Sequence, residues 1–149
     1  MKRRAATAAF CLVIGGSPAV EAAGICPQPR NTAQAPERYS RAQNPLTRTP
    51  GNVTAGKELY LEKARPTPCK LCHGLRGDGN GRLAEKLVPP PRNFTCRETM
   101  KDVTDGQMFW IVKNGSRGTA MPAHKAALSD NEIWRLILYL RRFAPLNIE

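Results

Sequence analysis

The stretch CKLCHG, Cys69 to Gly74, restricts this chain more than any other. Two thiols stand three residues apart, and an imidazole follows the second at once. Such spacing serves thiol–disulfide exchange, zinc binding or covalent haem attachment. A thioredoxin-like redox pair needs strands alternating with helices, and no stretch here shows sustained strand alternation. A structural zinc site needs four nitrogen or sulfur ligands. Cys69, Cys72, His73 and Cys96 supply that number, but a histidine directly after a cysteine chelates awkwardly, and the second spaced pair of a zinc ribbon is missing. Haem attachment fits best. Each thiol adds across one vinyl group, the two-residue spacer matches vinyls on neighbouring pyrroles, and the adjacent imidazole falls under the iron as an axial ligand.

A flat apolar cofactor also answers a shortage in the composition. Aromatic residues are only 6% of the chain, so its core is thin unless something else fills it. Lys and Arg number 23 against 12 Asp and Glu, a net charge of +11. Nucleic acid is an unsuitable partner despite that charge, because the chain is read as exported and has no reader motif.

The export reading rests on the leader. MKRR is basic, AATAAFCLVI is apolar, and GGSPAVEAAG supplies small residues, which predicts a signal peptide over residues 1–22 cut after Ala22. The apolar run is too short for a membrane span, which needs roughly 20 residues. The reading implies a periplasmic protein with no integral membrane segment after cleavage. Residues 23–51 hold Pro27, Pro29, Pro36, Pro45 and Pro50 and few apolar side chains, the composition of an extended arm or tether. Residues 52–149 form the haem-binding domain.

A haem iron takes a sixth ligand or deliberately lacks one. Met121 is the expected one: it sits in GSRGTAMPAH, where Gly115 and Gly118 let the chain wrap closely and Pro122 fixes the backbone behind the thioether. His124 is the second candidate, though an exposed loop position explains it as well. Met100 lies in a charged connector, and Met108 shares a helix face with Ile111 and Val112, which reads as core.

Three helices are expected. The first covers about residues 55–64 and ends before Pro66. The second starts at Thr104, with Gln107 completing a capping box, and stops at Gly115. The third is SDNEIWRLILYLRRF, with a capping box from Ser129 and Glu132 and apolar residues at helical spacing from Ile133 to Phe143. Leu87 and its neighbours form one more short turn. Loops this long argue against a packed domain, unless they pack on a buried haem. Leu71, Leu87, Phe94, Phe109 and Ile137 are the expected apolar wall around it.

The chain resembles a class I mono-haem cytochrome c of the small bacterial periplasmic kind. The likeness runs from about Thr54 to Phe143 and rests on CKLCHG, GDGNG, VPPPRNF, GTAMP and LSDNEIWRLILYLRR. It implies an all-α cytochrome c fold of three to four short helices and loops wrapped around one covalent haem c. The haem would be bound through Cys69 and Cys72 and ligated by His73 and Met121. It implies first and last helices that cross, with Gly56 and Tyr60 against Tyr139 and Trp134. It also implies a carbonyl among Pro89 to Pro91 that accepts the His73 ring N–H. Asn93 departs from the acidic residue common before the phenylalanine of the proline segment.

With Cys69 and Cys72 assigned to the haem, Cys26 and Cys96 remain, and a disulfide between them would pin the arm to the domain. Two free thiols, or a bond to another protein, are the alternatives. Lys70, Arg76, Arg82, Lys86, Arg92, Arg117 and Lys125 flank the haem motifs. They form either a basic rim that steers an acidic redox partner or an ordinary solvated surface. With both axial positions filled, the expected function is one-electron transfer and not catalysis. The alternatives are a haem subunit or docking module of a larger dehydrogenase or oxidase, or a haem enzyme or ligand sensor if Met121 leaves the iron open.

Overall fold

In the computed structural model, residues 26–28 and 31–144 are described. The expected signal peptide and its cut site lie outside them. Among the described residues there is no strand, and no helix is long and apolar enough to cross a membrane. Six α-helices follow in order: α1 Glu37–Ser40, α2 Pro50–Glu58, α3 Lys70–His73, α4 Arg97–Met100, α5 Asp105–Asn114 and α6 Asp130–Leu140. A π-helical turn, Leu59–Lys63, continues α2.

The last helix forms as its sequence predicts. The Ser129 hydroxyl accepts from the Glu132 N–H while the Glu132 carboxylate accepts from the Ser129 N–H, so two N-terminal donors are satisfied reciprocally. Ile133, Leu136 and Ile137 are almost fully buried along its inner face. This helix packs against α2. The crossing needs glycine at residue 56, because a Cβ there would overlap the carbonyl oxygen of Arg135 and sit 3.1 Å from the Tyr139 Cβ. Tyr60, fully buried, meets the Tyr139 and Phe143 rings with centroids 5.4 Å away in each case. Its hydroxyl donates to the Gly74 carbonyl at 2.6 Å, which ties the helix crossing to the haem motif. Burial pushes the Tyr60 phenol well above its ordinary value, so it stays a donor. Arg141 closes the other end. It bonds the Asp105 carboxylate at 2.7 Å and the carbonyls of Met100 and Val103, which uses a half-buried charge to join α6 to the start of α5.

Three expectations shift. The first helix starts at Pro50, not near residue 55: the Thr49 hydroxyl caps the Asn52 N–H and Pro50 takes the first helical position, where its missing N–H costs nothing. The end of the presumed arm is therefore the first turn of α2. At α5, Thr104 caps the Gln107 N–H, but the box is half made. The Gln107 amide instead reaches the arm, accepting from the Ala35 N–H at 2.7 Å and donating to the Ala33 carbonyl at 2.9 Å. The arm itself is a packed strap, not a tether. Ala35 is buried, Tyr39 stacks on Phe109 with centroids 6.2 Å apart, and Asn44 donates to the Trp134 carbonyl at 2.9 Å. A disulfide joins Cys26 to Cys96, 70 residues on.

Candidate haem centre

The site is built around α3. This single turn holds Cys72 and His73, with Cys69 as its N-cap and Gly74, at φ 80°, turning the chain out of it. So short a helix leaves its carbonyls to be satisfied from outside. GDGNG does this. The N–H groups of Gly79, Gly81 and Leu83 donate to the carbonyls of His73, Cys72 and Leu71 at 2.9, 3.0 and 2.8 Å. Gly79 sits at φ 83°, and a Cβ there would lie 2.8 Å from the Pro91 carbonyl oxygen. The loop thus brings the proline segment against the back of the histidine.

His73 is buried and its ring stacks on Phe94, with centroids 4.5 Å apart. Its Nδ1 lies 3.0 Å from the carbonyl oxygen of Arg92. The expected acceptor was one of Pro89 to Pro91; the observed one is the residue directly after them. A carbonyl has no proton to give, so Nδ1 is the protonated nitrogen, and Nε2 is the one a metal would take. The Phe94 N–H donates to the Gly77 carbonyl at 2.6 Å, and Asn93 holds the turn through its Oδ1, which accepts from the Thr95 N–H and hydroxyl. That local capping role accounts for an amide at residue 93.

Cys69 and Cys72 are not bonded to each other. Burial pushes the Cys69 thiol up to about 12 and raises the Cys72 thiol as well. A disulfide-exchange pair works through a stabilised thiolate, so this environment opposes that use. The zinc alternative fails differently: Cys96 is spent in the disulfide, and among the described residues the one cluster of candidate ligands is Cys26, Cys96 and Glu98.

Cys69, Cys72, His73 and Met121 all line one cavity of about 550 Å³, within the size range of cofactor sites. Its apolar wall comes from Leu87, Phe94, Met108, Ile111, Leu136 and Leu140, among others. Leu71, Phe109 and Ile137, expected there, are not in the lining; Phe109 instead stacks on Trp134 at 4.3 Å. Met108 was read as core and is buried, yet it also faces the cavity. Thr32, Gln34, Arg92 and Gln107 add a polar contribution, two of them from the arm. No pattern in the sequence pointed to Thr32 or Gln34.

Met121 is held by a loop that closes on itself. The Ser116 N–H donates to the Met121 carbonyl, the Met121 N–H to the Thr119 hydroxyl, and that hydroxyl to the Ser116 carbonyl. Gly115 at φ 77° makes the fold-back sterically open, since a Cβ there would sit 2.9 Å from the Met121 carbonyl oxygen. His124, the second ligand candidate, is not an exposed loop residue: it is buried, only 4% accessible, and lines the same cavity. Its Nδ1 lies 2.6 Å from the Arg65 carbonyl, and burial lowers its pKa. Met100, also buried, is absent from the cavity lining.

Two thiols, an oriented imidazole and a thioether around an apolar cavity suit a covalently held haem. An all-helical chain with this centre is a c-type cytochrome. Residues 51–140 match the family described as cytochrome c oxidase, cbb3-type, subunit III, and the chain belongs to that family. Members bear covalently bound haem c, so this is an electron-transfer haem c module. Over 109 residues it is 29% identical to quinohemoprotein alcohol dehydrogenase ADH IIB of Pseudomonas putida, covering 72% of this chain and 14% of the dehydrogenase. Among solved structures it resembles a chain of the reducing HAO-like protein complex of Kuenenia stuttgartiensis, at 30% identity and a TM-score of 0.58, covering 67% of this chain and 47% of that one. A further likeness, at 24% identity and a TM-score of 0.45, is to the c-type cytochrome SorU of Sinorhizobium meliloti, covering 64% and 94%. The chain thus spans a small part of the dehydrogenase and about half of the HAO-like chain.

Proposed function

We propose that this protein is a periplasmic one-electron carrier whose haem c is bound through Cys69 and Cys72 and ligated by His73 and Met121. The observation that supports it is the convergence of those four side chains on a single apolar cavity. The haem supplies reversible Fe(II)/Fe(III) chemistry. The protein's residues do the rest. Cys69 and Cys72 fix the cofactor's position, the Arg92 carbonyl strengthens His73 as a donor, and the Met121 thioether favours the reduced state. The surrounding leucines, Met108 and Phe94 keep water away, which works in the same direction. With His73 and Met121 both holding the group, the iron would have no place left for a substrate, and the centre would support electron transfer alone.

The outer face supports a partner reading. Lys70, Arg76, Arg82 and Lys86 lie near Leu75, Leu83 and Val88 in sequence, and Val88 is 91% exposed. Apolar residues among cations suit transient contact with an acidic redox protein. Arg92 drops out of this rim, because its guanidinium bonds Thr32 at 3.0 Å. A second reading is a haem module of a larger oxidoreductase, favoured because the similarity covers only 14% of the dehydrogenase.

The experiment is expression of the full chain with the c-type maturation machinery. The expected product is coloured, gives a haem c pyridine haemochrome, and keeps its pigment in acid acetone. Colourless protein, or pigment that acid acetone extracts, overturns the proposal. Co-purification with a large partner in fixed stoichiometry selects the module over the shuttle.

A further inference from the structure

The matched family region begins at residue 51, so the strap lies outside it. The contacts at the start of the strap, from Cys26 to Thr32, fall on one short segment. The Gln28 amide donates to the Pro91 carbonyl at 2.9 Å, and its oxygen accepts from the Asn93 N–H at 2.9 Å. These are the two residues that flank Arg92. Between them, the Arg92 guanidinium donates to the Thr32 hydroxyl at 3.0 Å. Three residues beyond Asn93, the disulfide from Cys26 fixes Cys96. The strap therefore grips residue 92 from both backbone sides and by its side chain. The carbonyl so gripped is the one that faces the His73 Nδ1.

We propose that Gln28 and Thr32 are positioning residues that hold the Arg92 carbonyl against the His73 ring N–H and so set the donor strength of that imidazole. The inference rests on the reading of His73 as an iron ligand. A close carbonyl draws the Nδ1 proton, gives the ring more imidazolate character and stabilises Fe(III). Releasing the carbonyl weakens the donor, so the midpoint potential rises. Simple loosening of the fold works in the opposite direction, since water entering the apolar cavity stabilises Fe(III). The sign of the shift therefore separates positioning from general destabilisation.

The test uses the holoprotein and three variants. Gln28→Ala removes the backbone clamp. Thr32→Val removes the side-chain anchor with little change in shape. Asn44→Ala breaks a strap contact, that with the Trp134 carbonyl, away from residue 92. In the first two, hydrogen exchange of the His73 ring N–H, followed by NMR, should quicken severalfold. The reduced-to-oxidised ratio at fixed applied potential should rise severalfold too, a tenfold rise being 59 mV for one electron. Asn44→Ala should move neither. If neither readout changes in Gln28→Ala and Thr32→Val, or if the potential falls in both, or if Asn44→Ala moves both readouts equally, the inference is overturned. A wild-type protein whose haem shows no histidine ligation overturns the underlying reading instead, and a spectrum taken before any variant is made reports that separately.

Discussion

The two faces of the haem cavity are held by different means. On the His73 side the chain is braced from far away in sequence: a disulfide from residue 26, the Gln28 clamp, the Tyr60 bond to Gly74 and the stack on Phe94. On the Met121 side most bonds are local, the exception being the contact of the His124 ring with the Arg65 carbonyl. The loop closes on its own backbone, and the N–H groups of His124 and Lys125 cap the last carbonyls of α5, on Val112 and Lys113. The first face is overdetermined and the second depends on one loop. Long-range bracing suits His73 in its proposed role, because it shares its chain segment with Cys69 and Cys72. A locally held loop suits Met121 in its proposed role, since a bond to iron would complete the order.

The comparison breaks outright if the covalent anchors are dispensable. Replacing both, Cys69→Ala with Cys72→Ala, is expected to abolish acid-acetone-stable pigment completely, and retention of covalent haem in the purified variant would refute their role. Next in size is Met121→Ala. The pigment should stay attached, because the His73 side is independently braced, while the long-wavelength sulfur-to-iron charge-transfer band disappears and the midpoint potential falls. An unchanged band in the oxidised spectrum would place another ligand on the iron. Removing the disulfide by Cys26→Ser with Cys96→Ser sharpens the contrast. Closing a loop of 70 residues stabilises by about 4 kcal/mol if it acts through the unfolded chain's entropy. Denaturant unfolding should show a loss of that order, with the charge-transfer band intact below the transition. Loss of the band before global unfolding would mean that the two faces are coupled.

How much of this was legible in the sequence follows the same division. Local signals read well. CKLCHG, the Ser129–Glu132 box and the helical spacing of α6 each depend on neighbours within a few residues, and each stands as expected in the fold. The first helix was misplaced because its start lies in Thr49–Pro50, a capping signal hidden inside a proline-rich run that reads as a tether. Long-range partners were the real loss. Gln107 has the right spacing for a capping box, but the strap offers it two backbone groups, and nothing in the pattern shows which bond wins. The His73 acceptor was missed by one residue, since the turn geometry at Arg92, and not the prolines themselves, decides which carbonyl points inward. Gln28, Thr32 and Gln34 gave no signal at all, because a polar residue in a proline-rich segment looks the same whether it is solvated or clamped.

The smallest expected effect lies on the Met121 side, at His124. Burial lowers its pKa from 6.5, and the Arg65 carbonyl opposes that shift without overcoming it. The folded protein therefore holds the ring neutral where the unfolded chain would already bind a proton. Stability from this residue is complete above about pH 6.5, falls as pH drops through that value, and levels off below the folded-state pKa. The slope cannot exceed about 1.4 kcal/mol per pH unit for one proton. The measurement is the unfolding free energy of the holoprotein between about pH 7.5 and 5, compared with His124→Gln. The wild type should lose more stability over that window than the variant does. Parallel curves would mean that the ring is charged or solvated in the fold, and the contact with Arg65 would then contribute nothing to holding the Met121 loop. A clear difference with no change in the charge-transfer band would show that this loop can weaken thermodynamically while the proposed bond from Met121 to iron persists.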